Sequence, residues 1–125
     1  MFGKRKKEKV SFGEWLNGIL SNFTLDAAAF NFNIYENKKD YSAELVATAS
    51  FDEDDEDWAC DEIYASRNDG NEFCFNADGW ESALEFVRSS VENYLKNGTY
   101  AEKLTASQAV ACGFVDGDLR LIFVK

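Results

Sequence analysis

Histidine and proline are absent from this 125-residue chain, and cysteine occurs only three times. The lack of histidine removes the commonest general base, the Ser-His-Asp and Cys-His nucleophile arrangements, and the commonest metal ligand. Cys60, Cys74 and Cys112 stand 14 and 38 positions apart and form no C-x-x-C pair. A structural zinc site is therefore not expected, and the odd count argues against a disulfide framework. Each cysteine is expected as a small buried apolar residue. No glycine-rich phosphate loop of either familiar pattern occurs. No apolar stretch approaches the ~20 residues needed to cross a bilayer. Glu14 and Asn17 break the apolar residues after the basic start, so no export signal is expected. These absences point away from an enzyme, a cofactor or a metal, and toward a reducing cytoplasm.

Aromatic residues and negative charge are what the chain has in quantity. Hydrophobic residues make up 46% and aromatics 15%, too much apolar surface for intrinsic disorder. The length suits one domain that buries roughly two-thirds of its unfolded surface. Net charge is −10 and unevenly placed. Met1–Lys9 carries +4, which leaves −14 on residues 10–125. The first nine residues read as a basic, flexible tail, with a nucleic-acid or membrane anchor as the rival reading. The acidic body repels phosphates and anionic lipid and attracts basic proteins or cations. Direct nucleic-acid binding and membrane binding are not expected.

The acids are concentrated in Phe51–Glu62, FDEDDEDWACDE, where eight of twelve residues are acidic. They are Asp52, Glu53, Asp54, Asp55, Glu56, Asp57, Asp61 and Glu62. Crowded like charges repel, and a cationic partner would remove that cost. A calcium loop does not fit: counted from Asp52, Asp57 stands where an EF-hand requires glycine, and Glu62 falls at position eleven. Read as an extended chain, the acids would also alternate sides instead of converging on one ion. Glycosidase-type work by paired carboxylates lacks a flanking pocket signal. Two readings of the run remain, a solvated connection between strands or a docking surface for a basic protein. The run holds a third of the chain's acids, and Trp58 within it is a residue type enriched at binding hot spots. Trp58, with Cys60, is alternatively an anchor of the loop to the core.

Patterning gives the fold class. Val10–Phe23 reads as a helix with Phe12, Trp15, Leu16, Ile19, Leu20 and Phe23 on one face. Ser11 and Glu14 form a capping box, with Val10 and Trp15 as its staple. Ala28–Tyr35 and Tyr41–Phe51 alternate with period two around a polar loop, predicting a hairpin. Glu62–Ser66 and Glu72–Asn76 read as short strands joined at Asp69-Gly70. A second helix runs from an Asp78 cap to Asn97-Gly98, its buried stripe beginning at Trp80, with Phe86 on a widened face or exposed. Gln108–Val115 and Asp118–Val124 make a last hairpin around Asp116-Gly117. Its final strand is apolar on both faces, so it is expected to be central or covered by a partner chain. The fold class is α+β: a single antiparallel sheet of about six strands in three hairpin-like pairs, with two helices packed on it, over residues 10–125.

With its DEDDEDW run, its size and its terminal GFVDGDLRLIF hairpin, the chain resembles in overall character the immunity proteins of bacterial toxin–immunity systems, including contact-dependent inhibition and polymorphic toxins. The resemblance implies a small cytoplasmic inhibitor that occludes a cognate toxin, often a basic nuclease domain. On physical grounds the eight acids would steer and pair, and Trp58 would anchor the complex. The alternatives are a nucleic-acid mimic that occupies DNA-binding proteins, and a homo-oligomeric structural or adaptor domain. The chain itself is expected to be a monomer or homodimer.

Overall fold

Ser11 starts the first helix as its spacing predicts. Its hydroxyl accepts from the Glu14 amide at 3.1 Å, and Glu14 Oε1 accepts from the Ser11 amide at 2.9 Å. The helix, α1, covers Phe12–Leu20 and buries Phe12, Trp15, Leu16, Ile19 and Leu20. It stops before Phe23, which remains in the core. Lys103 Nζ donates to the Leu20 and Phe23 carbonyls at 2.6 and 2.9 Å, placing a cation where the helix dipole is negative.

The computed structural model describes residues 10–125, so the predicted basic tail Met1–Lys9 lies outside the described residues. After α1 come β1 (Ala29–Glu36), β2 (Tyr41–Thr48), β3 (Glu62–Ala65), β4 (Phe73–Phe75), α2 (Trp80–Asn97), α3 (Ala101–Thr105), β5 (Ala109–Phe114) and β6 (Arg120–Val124). The architecture is α+β, with one six-stranded sheet in the order β3-β2-β1-β5-β6 and β4 also on β2. The sheet is mixed, not purely antiparallel: β1 and β2 form the expected hairpin, whereas β5 lies parallel to β1. A parallel neighbour needs a crossover of a dozen or more residues, and α2 with α3 provides it.

Two more expectations are corrected. Strands β3 and β4 do not pair with each other. Both run antiparallel along the same edge of β2, β3 opposite Val46–Thr48 and β4 opposite Tyr41–Ala43. Between them the chain makes a 3-10 turn at Ser66–Asp69 and reverses at Gly70, φ 76°. They amount to one edge strand interrupted by an excursion. Strand β6 is an edge and not central. A register shift opposite Val110/Ala111 explains its misleading pattern. It lets the consecutive residues Ile122 and Phe123 both pack on the main core.

The three α-helices of the described residues cover one face of the sheet. Phe30, Phe32 and Ile34 of β1, Ala43, Leu45 and Ala47 of β2, and Val110 and Cys112 of β5 meet α1, Val87, Val91 and Tyr94 of α2, and Leu104 of α3. The alanines of β2 give the helices room to approach. Helix α2 starts one residue past the predicted cap: its N-cap is Gly79, with no side-chain cap, and Trp80 is exposed, not buried. Phe86 is 37% exposed yet stacks on Phe75 at 4.6 Å, so the buried face of α2 is wide. Among the described residues the opposite face of the sheet carries no α-helix, and the acidic run folds onto it.

Candidate functional site

The acidic run is not extended. Asp52 Oδ1 accepts from the Asp54 amide at 2.9 Å, and Asp55 Oδ1 accepts from the Asp57 amide at 3.0 Å. Such Asx turns let short acids replace backbone partners. Asp55 then caps a 3-10 helix, Glu56–Cys60, whose first turn holds Glu56 and Asp57. Asp61 closes it, and its carbonyl accepts from the Ala49 amide at 2.9 Å, tying the loop back to the end of β2. Glu62 begins β3. All eight acids are exposed and fall within residues 52–62 of the chain. The ion pairs among the described residues are Arg67–Glu72, Arg88–Glu85 and Arg88–Glu92. None uses an acid of the run.

Trp58 faces the other way. At 5% exposure it packs among Ala29, Ala109 and Ala111 of the sheet, with Phe51, Ala59 and Leu119 around it. Its ring meets Phe51 edge-on at 5.2 Å. Of the two readings of Trp58, this burial supports the anchor: it is a peg that holds the acidic loop on the sheet. Two of the cysteines also depart from expectation, because Cys60 and Cys74 are exposed and only Cys112 is buried. Burial pushes the Cys112 thiol up to about 11.

Beside the peg this face of the sheet carries buried polar side chains, and this sequence reasoning missed. Glu44, only 3% exposed, accepts from the Tyr35 hydroxyl at 2.6 Å and from Asn33 Nδ2 at 3.2 Å through Oε2. Its Oε1 accepts from the Arg67 amide at 3.4 Å. Asn33 Oδ1 in turn accepts from Asn31 Nδ2 at 2.8 Å. The Arg67 guanidinium lies over the Tyr35 ring, 4.3 Å from its centre. Burial, then the Glu44 hydrogen bond and charge, push the Tyr35 phenol up to about 12. Burial first, then Glu44, raise the Glu62 carboxyl above its usual range. The available signal was the placing of Asn31, Asn33 and Glu44 inside strands that disfavour those residue types.

A groove of about 530 Å³ opens over this network. Asn31, Asn33 and Tyr35 line it from the sheet, Glu56, Asp57 and Glu62 from the acidic loop. Phe114, Val115 and Leu119, at the β5–β6 turn, supply an apolar wall. No group of three Cys, Asp or Glu side chains among the described residues is arranged to hold a metal ion. No described helix is long and apolar enough to cross a membrane. Comparison with protein-family models, curated proteins and solved structures finds no match to this chain.

Proposed function

We propose that this chain is a small acidic binding protein that engages a basic protein partner through the Asp52–Glu62 surface, in the manner of an immunity protein occluding a toxin in the cytoplasm. One observation carries the reading. The acids sit on an ordered, exposed segment pegged to the sheet by Trp58, so their charge is displayed in a fixed place. A fixed, single-signed surface steers a complementary partner and raises the association rate, an effect that salt screens. The role of Trp58 in this reading is indirect, through the loop it holds.

The test compares the wild-type chain with a variant carrying Asp52→Asn, Glu53→Gln and Asp54→Asn. A partner captured by the wild type and identified is then used purified, and its association rate is measured from about 50 to 500 mM salt. The expected result is a steep salt dependence that the variant flattens, with association at low salt slower by about tenfold. Equal rates for both proteins across that range would remove the proposal. A nucleic-acid mimic would instead bind several unrelated DNA-binding proteins.

A second reading has its own observation. The free edge of β6 exposes Leu121 at 41% and Val124 at 43%. Unpaired edges of this kind pair readily with another chain. Self-association there predicts an elution volume that shifts with protein concentration in gel filtration.

A further inference from the structure

With Trp58 turned inward, the acidic run offers no large exposed apolar side chain of the kind that forms the centre of a protein interface. Strand β6 supplies one beside it. Leu121 stands opposite Ala111, and Val124 opposite Ala109. Directly opposed residues of an antiparallel pair share a face of the sheet. Ala109 and Ala111 are the seat of Trp58, so Leu121 and Val124 point to the side that carries the acidic loop. Both are exposed there, while the register shift turns Ile122 and Phe123 between them onto the main core. Leu119 packs on the Trp58 cluster and lines the groove with Glu56 and Asp57, and Phe51 packs on that cluster next to Asp52. These two residues join the exposed pair to the acids.

Single exposed aliphatic residues are ordinary on a protein surface, but a strip on the same side as a block of charge has a specific complement. Its occupant must bury the aliphatic side chains and bring cations to the acids. A second copy, the occupant in the self-association reading, meets the first condition and fails the second. Packed on this face, it would add its own eight carboxylates to the same interface. Like charges repel wherever they lie within a Debye length, about 10 Å. A basic protein meets both conditions. Aliphatic side chains set among lysine or arginine are the matching pattern, because the long cationic side chains also lay apolar stems on the strip.

We propose that Leu119, Leu121 and Val124 are the apolar anchor of the basic partner's binding surface, and that they take a patch in which aliphatic side chains alternate with lysine or arginine. The inference rests on the proposed function for the sign of the partner's charge, and it assigns the holding contacts that the acids alone do not supply. Steering by the acids then governs the association rate, and the strip governs how long the complex lasts. The anchoring role that the sequence suggests for Trp58 moves to β6.

The test uses two peptides of equal charge, Ac-KLSKLSKLSK-NH2 and Ac-KSSKSSKSSK-NH2, titrated into the full chain and followed by 15N NMR. Both should shift the amides of the acidic loop. The Lys/Leu peptide alone should also shift those of Leu119, Leu121 and Val124, and it should bind about tenfold tighter. That ratio should persist from about 50 to 500 mM salt while both affinities fall, since screening acts on charge and not on apolar contact. Leu121→Thr with Val124→Thr keeps strand-forming residues at exposed positions, so the variant should fold and should cut the ratio to about twofold or less. The Asp52→Asn, Glu53→Gln, Asp54→Asn variant should weaken both peptides alike and leave the ratio. A ratio near one on the wild type, or a ratio that the Thr pair leaves intact, would overturn the anchor. So would a wild-type dimer in gel filtration that the Thr pair dissociates, because the strip would then belong to a second copy. If the ratio fails while the Lys/Ser peptide still binds the acids in a salt-dependent way, the steering surface stands without the strip. If neither peptide shifts the acidic loop, both readings fall together.

Discussion

Replacing Trp58 with alanine tests whether the acidic surface is fixed or merely present. The ring is 5% exposed, lies on the alanines at 29, 109 and 111, and meets Phe51 at 5.2 Å. Truncating a buried aromatic to alanine costs about 3–5 kcal/mol when the site cannot collapse. One wall here is rigid sheet and the other is the loop itself, which can lift or close, so the lower end applies, about 3 kcal/mol. For a chain of this size that lowers Tm by on the order of 10 °C. The loss should be local before it is global. The amides of Ala49, Asp55, Trp58 and Asp61 donate to carbonyls within and beside the loop. Their hydrogen exchange in the wild type should be protected, and in Trp58→Ala the amides of Ala49, Asp55 and Asp61 should lose protection while those of β1 and β5 keep theirs. Association with the proposed basic partner should slow although Trp58 is buried, because the charges are no longer held in one arrangement. A Tm within about 2 °C of wild type, together with unchanged exchange at these amides, would refute the peg.

Tyr35 titrates in the folded chain near 12, above the ordinary phenol value of 10, so it keeps its proton after the unfolded chain has lost it. Its contribution is present below pH 10 and is lost as pH rises from 10 toward 12; Tyr35→Phe should flatten that limb of the stability curve, read by thermal melts against pH. Tyr64 and Tyr94, also raised by burial, should preserve part of the limb. Glu62 is raised as well, the sign of a carboxylate strained when ionised. Glu62→Gln should therefore be neutral or stabilising at pH 7, by up to about 0.5 kcal/mol at low salt; a clear loss in denaturant unfolding would show a structural duty instead. At Gly113 an added Cβ would stand 2.6 Å from the Asp118 carbonyl oxygen and 3.3 Å from Leu119 Cα, both backbone of the β5–β6 connection. Gly113→Ala should cost about 1–3 kcal/mol and displace the apolar wall of the groove, visible as amide shifts concentrated in residues 114–121.

Local signals were legible and long-range pairing was not. Ser11 with Glu14 marked the start of α1 because a capping box is complete within four residues. The alternation of Phe30, Phe32 and Ile34 against Asn31 and Asn33 gave β1 and its faces. The parallel β1–β5 pairing leaves no such trace, since its partners are some 80 residues apart and only the helical crossover hints at it. The in-line arrangement of β3 and β4 was hidden because Asp69-Gly70 is a turn signal whether the strands beyond it pair or not. In the candidate site the acids were legible by count, but the direction of Trp58 was not. A tryptophan among acids reads equally as hot spot or as anchor, and only the three alanines of the far strands, which leave a shallow seat for an indole, decide it.

The geometry also limits how much of the acidic run the fold itself requires. Asp52 and Asp55 have local duties, each accepting an amide two residues on. Two Asx turns and one cap are enough to shape the connection between β2 and β3. Glu53, Asp54, Glu56, Asp57, Asp61 and Glu62 make no side-chain hydrogen bond among the described residues, and partial burial followed by the Glu44 charge raises the Glu62 carboxyl. Polar uncharged residues would solvate the same loop without mutual repulsion. Part of the surplus, Glu56, Asp57 and Glu62, lines the groove on the sheet face opposite the three described α-helices. Stability does not explain that excess of charge, since mutual repulsion lowers it; the proposed cationic partner would offset it.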